Sequence, residues 1–461
     1  MTDNQFSSIA ISPAQLTNLD SLGYHTMTPI QAKGLPVVLE GKDLMANAKT
    51  GSGKTATFGI GLLEHINPRF FGVQALILCP TRELADQVSK ELRKLARSTA
   101  NIKLVVLCGG KPSSIQKASL KNGAHIIVGT PGRVYDHLER GTLDLDGLKT
   151  LVLDEADKML DMGFADSVND VISYAPVKRQ TLLFSATFPD AVRKMGQHIL
   201  NEPVTVSVDV EHDDSVIQQT FYRVTHENRE QTLLRLFATY QPKTSVIFCH
   251  TKIQCDEVAE YLRSHKVEAQ AMHGDFEQYD RDRVLVQFAN NSCPVLVATD
   301  VAARGLDIKS LELVINFELP RDPEIYIHRI GRTGRAGEEG KALNLFTDNE
   351  KQRVKSIENY LNKPVVIEKT NDLSPPSKFS LYAPMTTLLI DVGRKSKVRA
   401  GDILGALTRD AKLVGAQIGK IDIFDTFSYV AFEHEIAKEA LQYLNSEQGK
   451  IKGRSVKARR A

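Results

Sequence analysis

Short, unbroken apolar runs recur along this chain, at Ala75–Leu78 (ALIL), Leu104–Leu107 (LVVL), Ile126–Val128 (IIV), Leu151–Leu153 (LVL) and Thr181–Phe184 (TLLF). Runs of this length without polar alternation predict strands buried on both faces. Between them lie segments such as Glu83–Leu95, with apolar residues at helical spacing. Strand–helix alternation predicts a parallel sheet covered by helices on both sides. After the acidic stretch Glu211–Asp214 the rhythm restarts, with runs at Ser245–Phe248, Val295–Ala298, Leu313–Phe317 and Ala342–Phe346. The pattern therefore predicts two α/β domains, over residues 1–207 and 216–369, joined near Val208–Ser215. Asn371–Lys378 (NDLSPPSK) breaks it again and predicts an extended linker over residues 370–383. Residues 384–461 have another rhythm. Strand patterns at Thr387–Val392 and Ser428–Phe432, with helical patterns near Ala400–Arg409 and Glu435–Asn445, predict a small α+β module.

Composition changes this picture in one respect. The net charge of +2 conceals an asymmetry: Leu381–Ala461 holds 14 Lys/Arg against 9 Asp/Glu, or +5, which leaves −3 for the rest. A basic module on a slightly acidic body suggests an anionic partner held at that end. The five cysteines, Cys79, Cys108, Cys249, Cys255 and Cys293, form no C-x-x-C pair, which argues against zinc, and three lie inside apolar runs as expected of buried thiols. The start, MTDNQFSSIA, lacks the basic and apolar regions of a signal peptide, and no apolar stretch approaches a membrane span. The expectation is a cytoplasmic protein.

In open parallel sheets chemistry collects at the carboxyl ends of strands. There the chain places Ala48-Lys49-Thr50-Gly51-Ser52-Gly53-Lys54-Thr55, after an apolar strand at Asp43–Ala46 and before a helix. Such a glycine-rich loop turns backbone N–H groups toward phosphate oxygens. Lys54 supplies a cation for the β- and γ-phosphates, and Thr55 a hydroxyl for Mg²⁺. Ala48 stands where the strict pattern has glycine. About a hundred residues on, the strand Leu151–Leu153 ends in Asp154-Glu155-Ala156-Asp157. Asp154 suits Mg²⁺ through bound water, and Glu155 suits orienting or deprotonating an attacking water. Alone, an acidic turn after a strand is common; behind a phosphate loop it points to nucleotide hydrolysis.

These residues resemble the DEAD-box RNA helicases, and the resemblance extends along the body. It implies two tandem RecA-like domains, hydrolysis of ATP with Mg²⁺, and RNA as partner. Gly23–Gln31 resembles the family's adenine-reading motif, with Phe6 upstream. It implies that Gln31 bonds the adenine edge, that Phe6 stacks on the ring and that Tyr24 belongs to the same site. Pro80-Thr81-Arg82, Gly109-Gly110 and Thr130-Pro131-Gly132-Arg133 match the first domain's RNA-binding motifs. Ser185-Ala186-Thr187 matches the segment that couples hydrolysis to strand separation, through Asp157. In the second domain Thr251, Gly274, Arg281 and Thr299 match RNA contacts, and Asp307 a ribose contact. His328-Arg329-Ile330-Gly331-Arg332-Thr333-Gly334-Arg335 makes Arg332 and Arg335 arginine fingers and His328 a phosphate contact or bridge. Three arginines so spaced also fit a plain charge network.

The terminal module is similar in part to an RRM. Phe427–Phe432 resembles the second half of the strand motif that presents aromatics to bases, but Asp425 and Thr426 replace its Lys/Arg and Gly, and the partner strand TLLIDV has no aromatic. Its aromatics therefore fit stacking or core equally. Arg394, Lys395, Lys397 and Arg399 offer a basic RNA surface instead, with further Lys/Arg over Lys450–Arg460. Gly393–Lys395, Gly401–Leu407 and Ile418–Phe424 resemble the terminal domain of a bacterial DEAD-box group acting in large-subunit assembly, which binds a 23S rRNA hairpin near the peptidyl-transferase region. The resemblance implies a monomer, without membrane contact, tethered to that hairpin and to large-subunit precursors. A general RNA remodeller for messenger turnover or cold adaptation, and an ATP-gated RNA clamp, remain alternatives.

Overall fold

The computed structural model describes residues 4–48, 52–110, 112–208, 217–303, 311–334, 339–376 and 379–461. Lys49, Thr50, Gly51, Asp307 and Arg335 lie outside them, as does most of the expected junction Val208–Ser215. The chain divides into two compact bodies, one of residues 1–210, the other holding most of 211–461.

The first body is built on seven parallel strands: β1 (Leu44–Asn47), β2 (Ala75–Leu78), β3 (Leu104–Leu107), β4 (Ile126–Gly129), β5 (Thr150–Asp154), β6 (Gln180–Ser185) and β7 (Val204–Ser207). Their order across the sheet is β3-β4-β2-β5-β6-β1-β7. The central strands β2, β4, β5 and β6 are buried at every position, as their unbroken apolar runs require. Helices close both faces. One core layer gathers Ile77, Phe58 and Phe184, the other Leu76, Leu151 and Leu183.

The second body repeats the plan with β8 (Ile217–Arg223), β9 (Ser245–Cys249), β10 (Ala269–Met272), β11 (Val295–Thr299), β12 (Leu313–Asn316), β13 (Gly340–Phe346) and β14 (Val366–Glu368). Their order, β10-β11-β9-β12-β13-β8-β14, is the first order with each strand number raised by seven. The two sheets thus share one winding. The carboxyl edges that carry the motifs are built alike.

The terminal module is a four-stranded antiparallel sheet with helices on one face. Its strands are β15 (Met385–Ile390), β16 (Ile418–Ile423), β17 (Ser428–Glu433) and, after the small hairpin β18 (Lys450–Ile451) and β19 (Arg454–Ser455), β20 (Ala458–Arg460). The order is β16-β17-β15-β20. Period-two alternation sends Leu388, Ile390, Val430 and Phe432 into the module's own core. The helix expected over Ala400–Arg409 is α-helical only to Gly405 and continues as a π-turn through Asp410.

The module's other sheet face is covered by the second α/β domain. Thr387 shares a 2.7 Å hydroxyl–hydroxyl bond with Ser292, and Gln287 donates to the Ala461 carbonyl at 2.8 Å. Leu389, Tyr429 and Ala431 on this face are buried. Both ends of the linker are strapped down: Leu373 enters the second domain's core, and Leu381 exchanges backbone bonds with Lys266 and Glu268 at 2.9 Å. Among the described residues no helix is long and apolar enough to cross a membrane, and all five cysteines are buried and none forms a disulfide.

If this face is a dock, Thr387→Arg should lift the module off. Small-angle scattering is expected to show a larger radius of gyration while far-UV dichroism stays unchanged. An unchanged radius would contradict the docking.

Candidate nucleotide and RNA site

The strand order sorts the motifs of the first body into two neighbouring groups. Adjacent β5, β6 and β1 end at Asp154–Asp157, Ser185–Thr187 and the loop before Lys54. Adjacent β3, β4 and β2 end at Gly109-Gly110, Thr130–Arg133 and Pro80–Arg82. One edge thus carries a candidate nucleotide half and a candidate RNA half side by side.

Lys54 opens the helix Lys54–His65, and its Nζ lies 3.6 Å from Asp154 Oδ1, both side chains almost fully buried. Among the described residues neither atom has a hydrogen-bond partner. A buried ammonium and a buried carboxylate oxygen left open need further ligands. Phosphate oxygens suit the first, and a hydrated divalent cation the second. Burial alone would depress the Lys54 ammonium, but the carboxylates of Asp154, Glu155 and Asp157 outweigh it and hold Lys54 above the usual lysine range. Burial pushes the Asp154 carboxyl up, against the pull of Lys54. Three carboxylates face two lysines, Lys54 and Lys158, so the corner has a surplus of negative charge that Mg²⁺ would neutralise.

Glu155 takes a left-handed backbone, φ 56° and ψ 53°, between β5 and the next helix. For a residue with a Cβ this costs about 1–2 kcal/mol, strain of the sort held where a side chain must be aimed. Its Oε2 accepts from Lys158 Nζ at 2.8 Å, in a pair as buried as Lys54 and Asp154. Lys158 escaped the motif reading: from sequence it is an ordinary lysine three residues on, and only folding buries it. The spacing of one helical turn was the available signal.

Asp157 binds the two strand ends together. Its Oδ2 accepts from the N–H groups of Ala186 (3.1 Å) and Thr187 (3.0 Å) and from the Thr187 hydroxyl (3.1 Å), while the Ser185 hydroxyl accepts from Asp157 N–H (3.2 Å). Ala48 N–H donates to the Ser185 carbonyl at 2.9 Å, so the phosphate loop enters from the same point. Gly53 must be glycine. Its φ is +99°, and a Cβ would lie 2.6 Å from Gln31 Nε2 and 2.8 Å from Thr28 Oγ1. Gln31 is buried, accepts from Thr28 N–H at 2.8 Å and donates to the Gly53 carbonyl at 3.3 Å. Its amide therefore touches the loop in this structure. Phe6 is buried with Tyr24 edge-on at 6.4 Å, and the Tyr24 hydroxyl donates to Glu91 at 2.6 Å. Ser52 and Thr55 flank Gly53 and Lys54 at the start of the helix.

In the RNA half, Thr81 Oγ1 caps the helix Arg82–Leu95 by accepting from Leu84 N–H at 3.2 Å. The Arg82 guanidinium lies over Gly109. Pro131 opens the helix Pro131–Glu139, and beside Gly132 there is open space. Arg133 donates to Gln116 at 3.2 Å, and Gln116 to the Cys108 carbonyl at 2.7 Å, which ties the ends of β4 and β3 together.

In the second body adjacent β10, β11 and β9 likewise bring Gly274, Thr299 and Thr251 to one edge. Thr251 caps its helix by accepting from Gln254 N–H at 3.2 Å. Arg281 lies in the first turn of the helix Gln278–Ala289. Of the three spaced arginines, Arg329 is structural. It is buried, bidentate to Asp300 (2.6 and 2.8 Å), and donates to Asn316 and to the Glu318 carbonyl at 2.7 Å. For it the charge network holds. His328 is half-buried and Arg332 buried at the end of the same helical segment.

In the module, Arg394, Lys395, Lys397 and Arg399 are all exposed on one turn. The RRM-like aromatics separate: Phe432 is core, and Tyr429 lies under the second domain, off any open sheet face.

Comparison with known proteins accounts for the whole chain. The DEAD/DEAH box helicase profile matches residues 28–195, the helicase conserved C-terminal domain 228–337, and the DbpA RNA binding domain 387–460. The chain is 52% identical to the ATP-dependent RNA helicase DbpA of Escherichia coli (strain K12) over 97% of both chains. It is 38% identical to the DbpA of Bacillus subtilis (strain 168) over 99% of both. Among solved structures, S. cerevisiae Dbp5 bound to RNA and ADP BeF3 superposes with a TM-score of 0.73 at 32% identity, covering 80% of this chain and 96% of that one.

Glu155→Gln keeps the shape of the acidic corner and removes its base. ATP turnover is expected to fall by about 10²–10³-fold, with nucleotide affinity unchanged by titration of a fluorescent ATP analogue. A matching loss of affinity would place Glu155 in binding instead.

Proposed function

Because the chain belongs to the DEAD-box ATP-dependent RNA helicases, of the DbpA type with a C-terminal RNA-binding domain, we propose that its substrate is 23S rRNA during assembly of the large ribosomal subunit. The observation that carries this is the match to DbpA through the terminal module, not only through the helicase core. The core's RNA groups are hydroxyls, helix starts and arginines. These suit sugar and phosphate and do not read base sequence. Selection of one RNA then falls to the module, whose exposed Arg394–Arg399 turn would hold a hairpin near the peptidyl-transferase region. Tethering raises the local concentration of nearby helices for an unselective core.

In this reading Lys54 grips the β- and γ-phosphates, and Gln31, Phe6 and Tyr24 hold the adenine, Gln31 exchanging its bond to Gly53 for one to the base. Asp307 takes the ribose. Mg²⁺, held by Thr55 and by Asp154 through water, would neutralise phosphate charge. Glu155 aligns a water on the γ-phosphorus and accepts its proton, with Lys158 holding the carboxylate in place. Arg332 and Arg335 stabilise charge on the transferring group, and His328 bridges to them. Asp157, Ser185 and Thr187 pass the loss of the γ-phosphate to the strand ends that hold RNA. Pro80, Thr81, Arg82, Gly110, Thr130, Pro131, Gly132 and Arg133 hold that RNA in the first domain. Thr251, Gly274, Arg281 and Thr299 hold it in the second. The protein would work as a cytoplasmic monomer.

Steady-state ATPase assays test the assignment, with 23S rRNA, a fragment carrying the peptidyl-transferase hairpin and an unrelated RNA of equal length. The first two alone should activate strongly. Equal activation by all three would make this a general RNA remodeller.

A further inference from the structure

At the joint between the module and the second α/β domain, aromatic rings remain partly open to solvent. Two turns of the module are locked side by side. Arg394 N–H donates to the Phe424 carbonyl and Lys395 N–H to the Asp425 carbonyl, each at 2.8 Å, and Phe424 N–H donates to the Phe427 carbonyl at 2.9 Å. Gly393 permits this approach: a Cβ there would lie 2.4 Å from the Phe424 carbonyl oxygen and 2.7 Å from Phe427 N. Phe424 and Phe427 stack at 4.9 Å with planes 15° apart. Buried Tyr429 braces both rings edge-on from below, at 5.6 and 5.4 Å. From the helicase domain, Tyr279 meets Phe427 at 6.1 Å and 74°, and its hydroxyl accepts from Arg459 at 3.4 Å. Tyr279 is 41% exposed, and Phe424 and Phe427 are half-buried.

Cations surround these rings. Arg394 pairs with Asp425 at 3.3 Å in open solvent, and Arg283 pairs with Asp280 at 3.1 Å, partly exposed. Exposed pairs of this kind contribute little and open readily. Lys395 and Arg459 complete the set. The helix that carries Tyr279 also carries Arg281 two residues on, at the end of the segment we read as an RNA contact of the core. Aromatic faces flanked by arginines are the means by which proteins hold unpaired bases: the ring stacks and the cations take the phosphates. A surface for a protein partner would need a broader apolar patch than these few rings.

We infer that this joint is a composite single-strand site, in which an unpaired nucleobase of the bound RNA stacks on Phe427 beside Tyr279 while Arg394 and Arg459 take its phosphates. It rests on the reading of Arg281 and the Arg394–Arg399 turn as RNA contacts. It adds a site that neither domain forms alone. A strand leaving the core at Arg281 would pass directly onto the module, so the dock would serve as a continuation of the RNA path.

The chain contains no tryptophan, so Phe427→Trp in the full-length protein places a single reporter in the joint. A short oligouridylate, with a non-hydrolysable ATP analogue present, should quench its emission. Anisotropy of the labelled oligonucleotide reports binding separately. Phe427→Leu and the solvent-facing Tyr279→Leu should each weaken oligouridylate binding by about 5–10-fold, with unchanged far-UV dichroism and melting. Oligouridylate that binds every variant with parent affinity and leaves the tryptophan emission unchanged would overturn the inference, and would leave the rings to a protein partner. The functional reading fails by a different sign, the absence of RNA-stimulated ATPase in the unsubstituted chain.

Discussion

One buried carboxylate joins the nucleotide end of the first domain to the rest of its working edge. Asp157 accepts three bonds from the Ala186–Thr187 segment through a single oxygen, and its other oxygen accepts from Lys158 N–H at 2.9 Å. Hydrogen bonds to an ionised group are worth about 1.5–3 kcal/mol each, so this knot is among the stronger local constraints. It can exist only because β5 and β6 are neighbours. The strand order then sets β2 beside β5, which brings the Thr81, Gly110 and Thr130 group against the acidic corner. The hydrolysis and RNA groups we propose would then share one sheet, and a small shift at the γ-phosphate would have a short path to RNA.

Around that knot the charges are unbalanced. Lys54 and Asp154 face each other without hydrogen-bond partners among the described residues, and the strained Glu155 is held by a lysine buried with it. A corner of this kind is costly to fold and would gain partners on binding the triphosphate and cation that we propose for it. The second domain repeats the winding but spends its buried charge differently. Arg329 is consumed in holding Asp300 and Asn316, which fixes the end of β11 and the helix that carries His328.

The parts legible in the sequence were those where chemistry or burial dictates residue type. Phosphate chemistry demands glycine, lysine and hydroxyl at fixed spacing, so the loop at Ala48–Thr55 could be read directly. Strands buried on both faces left unbroken apolar runs, and β2, β5 and β6 fall where those runs lie. The edges of the second sheet were harder to read, although the first sheet's edge strand β3 shows the run LVVL: β14 is exposed at all of its positions, and β10 reads Ala-Gln-Ala-Met. The dock was equally invisible. Thr387, Ser292 and Gln287 are small or polar residues of no marked pattern, and they meet only because the module's sheet packs against the helix Gln278–Ala289 and the turn that follows it. Tyr429 fits the RRM pattern in sequence, yet that dock buries it. The fate of a side chain on a sheet face depends on what covers the face.

The central claim is that Asp157 and Thr187 transmit hydrolysis to RNA rather than carry it out. Thr187→Val preserves shape and removes one of the three bonds. The decisive quantity is the number of short RNA duplexes separated per ATP hydrolysed. The account predicts that this ratio falls severalfold while RNA-stimulated ATPase stays near that of the parent. Equal loss of both activities, with the ratio unchanged, would contradict it and make the segment part of the hydrolytic site itself.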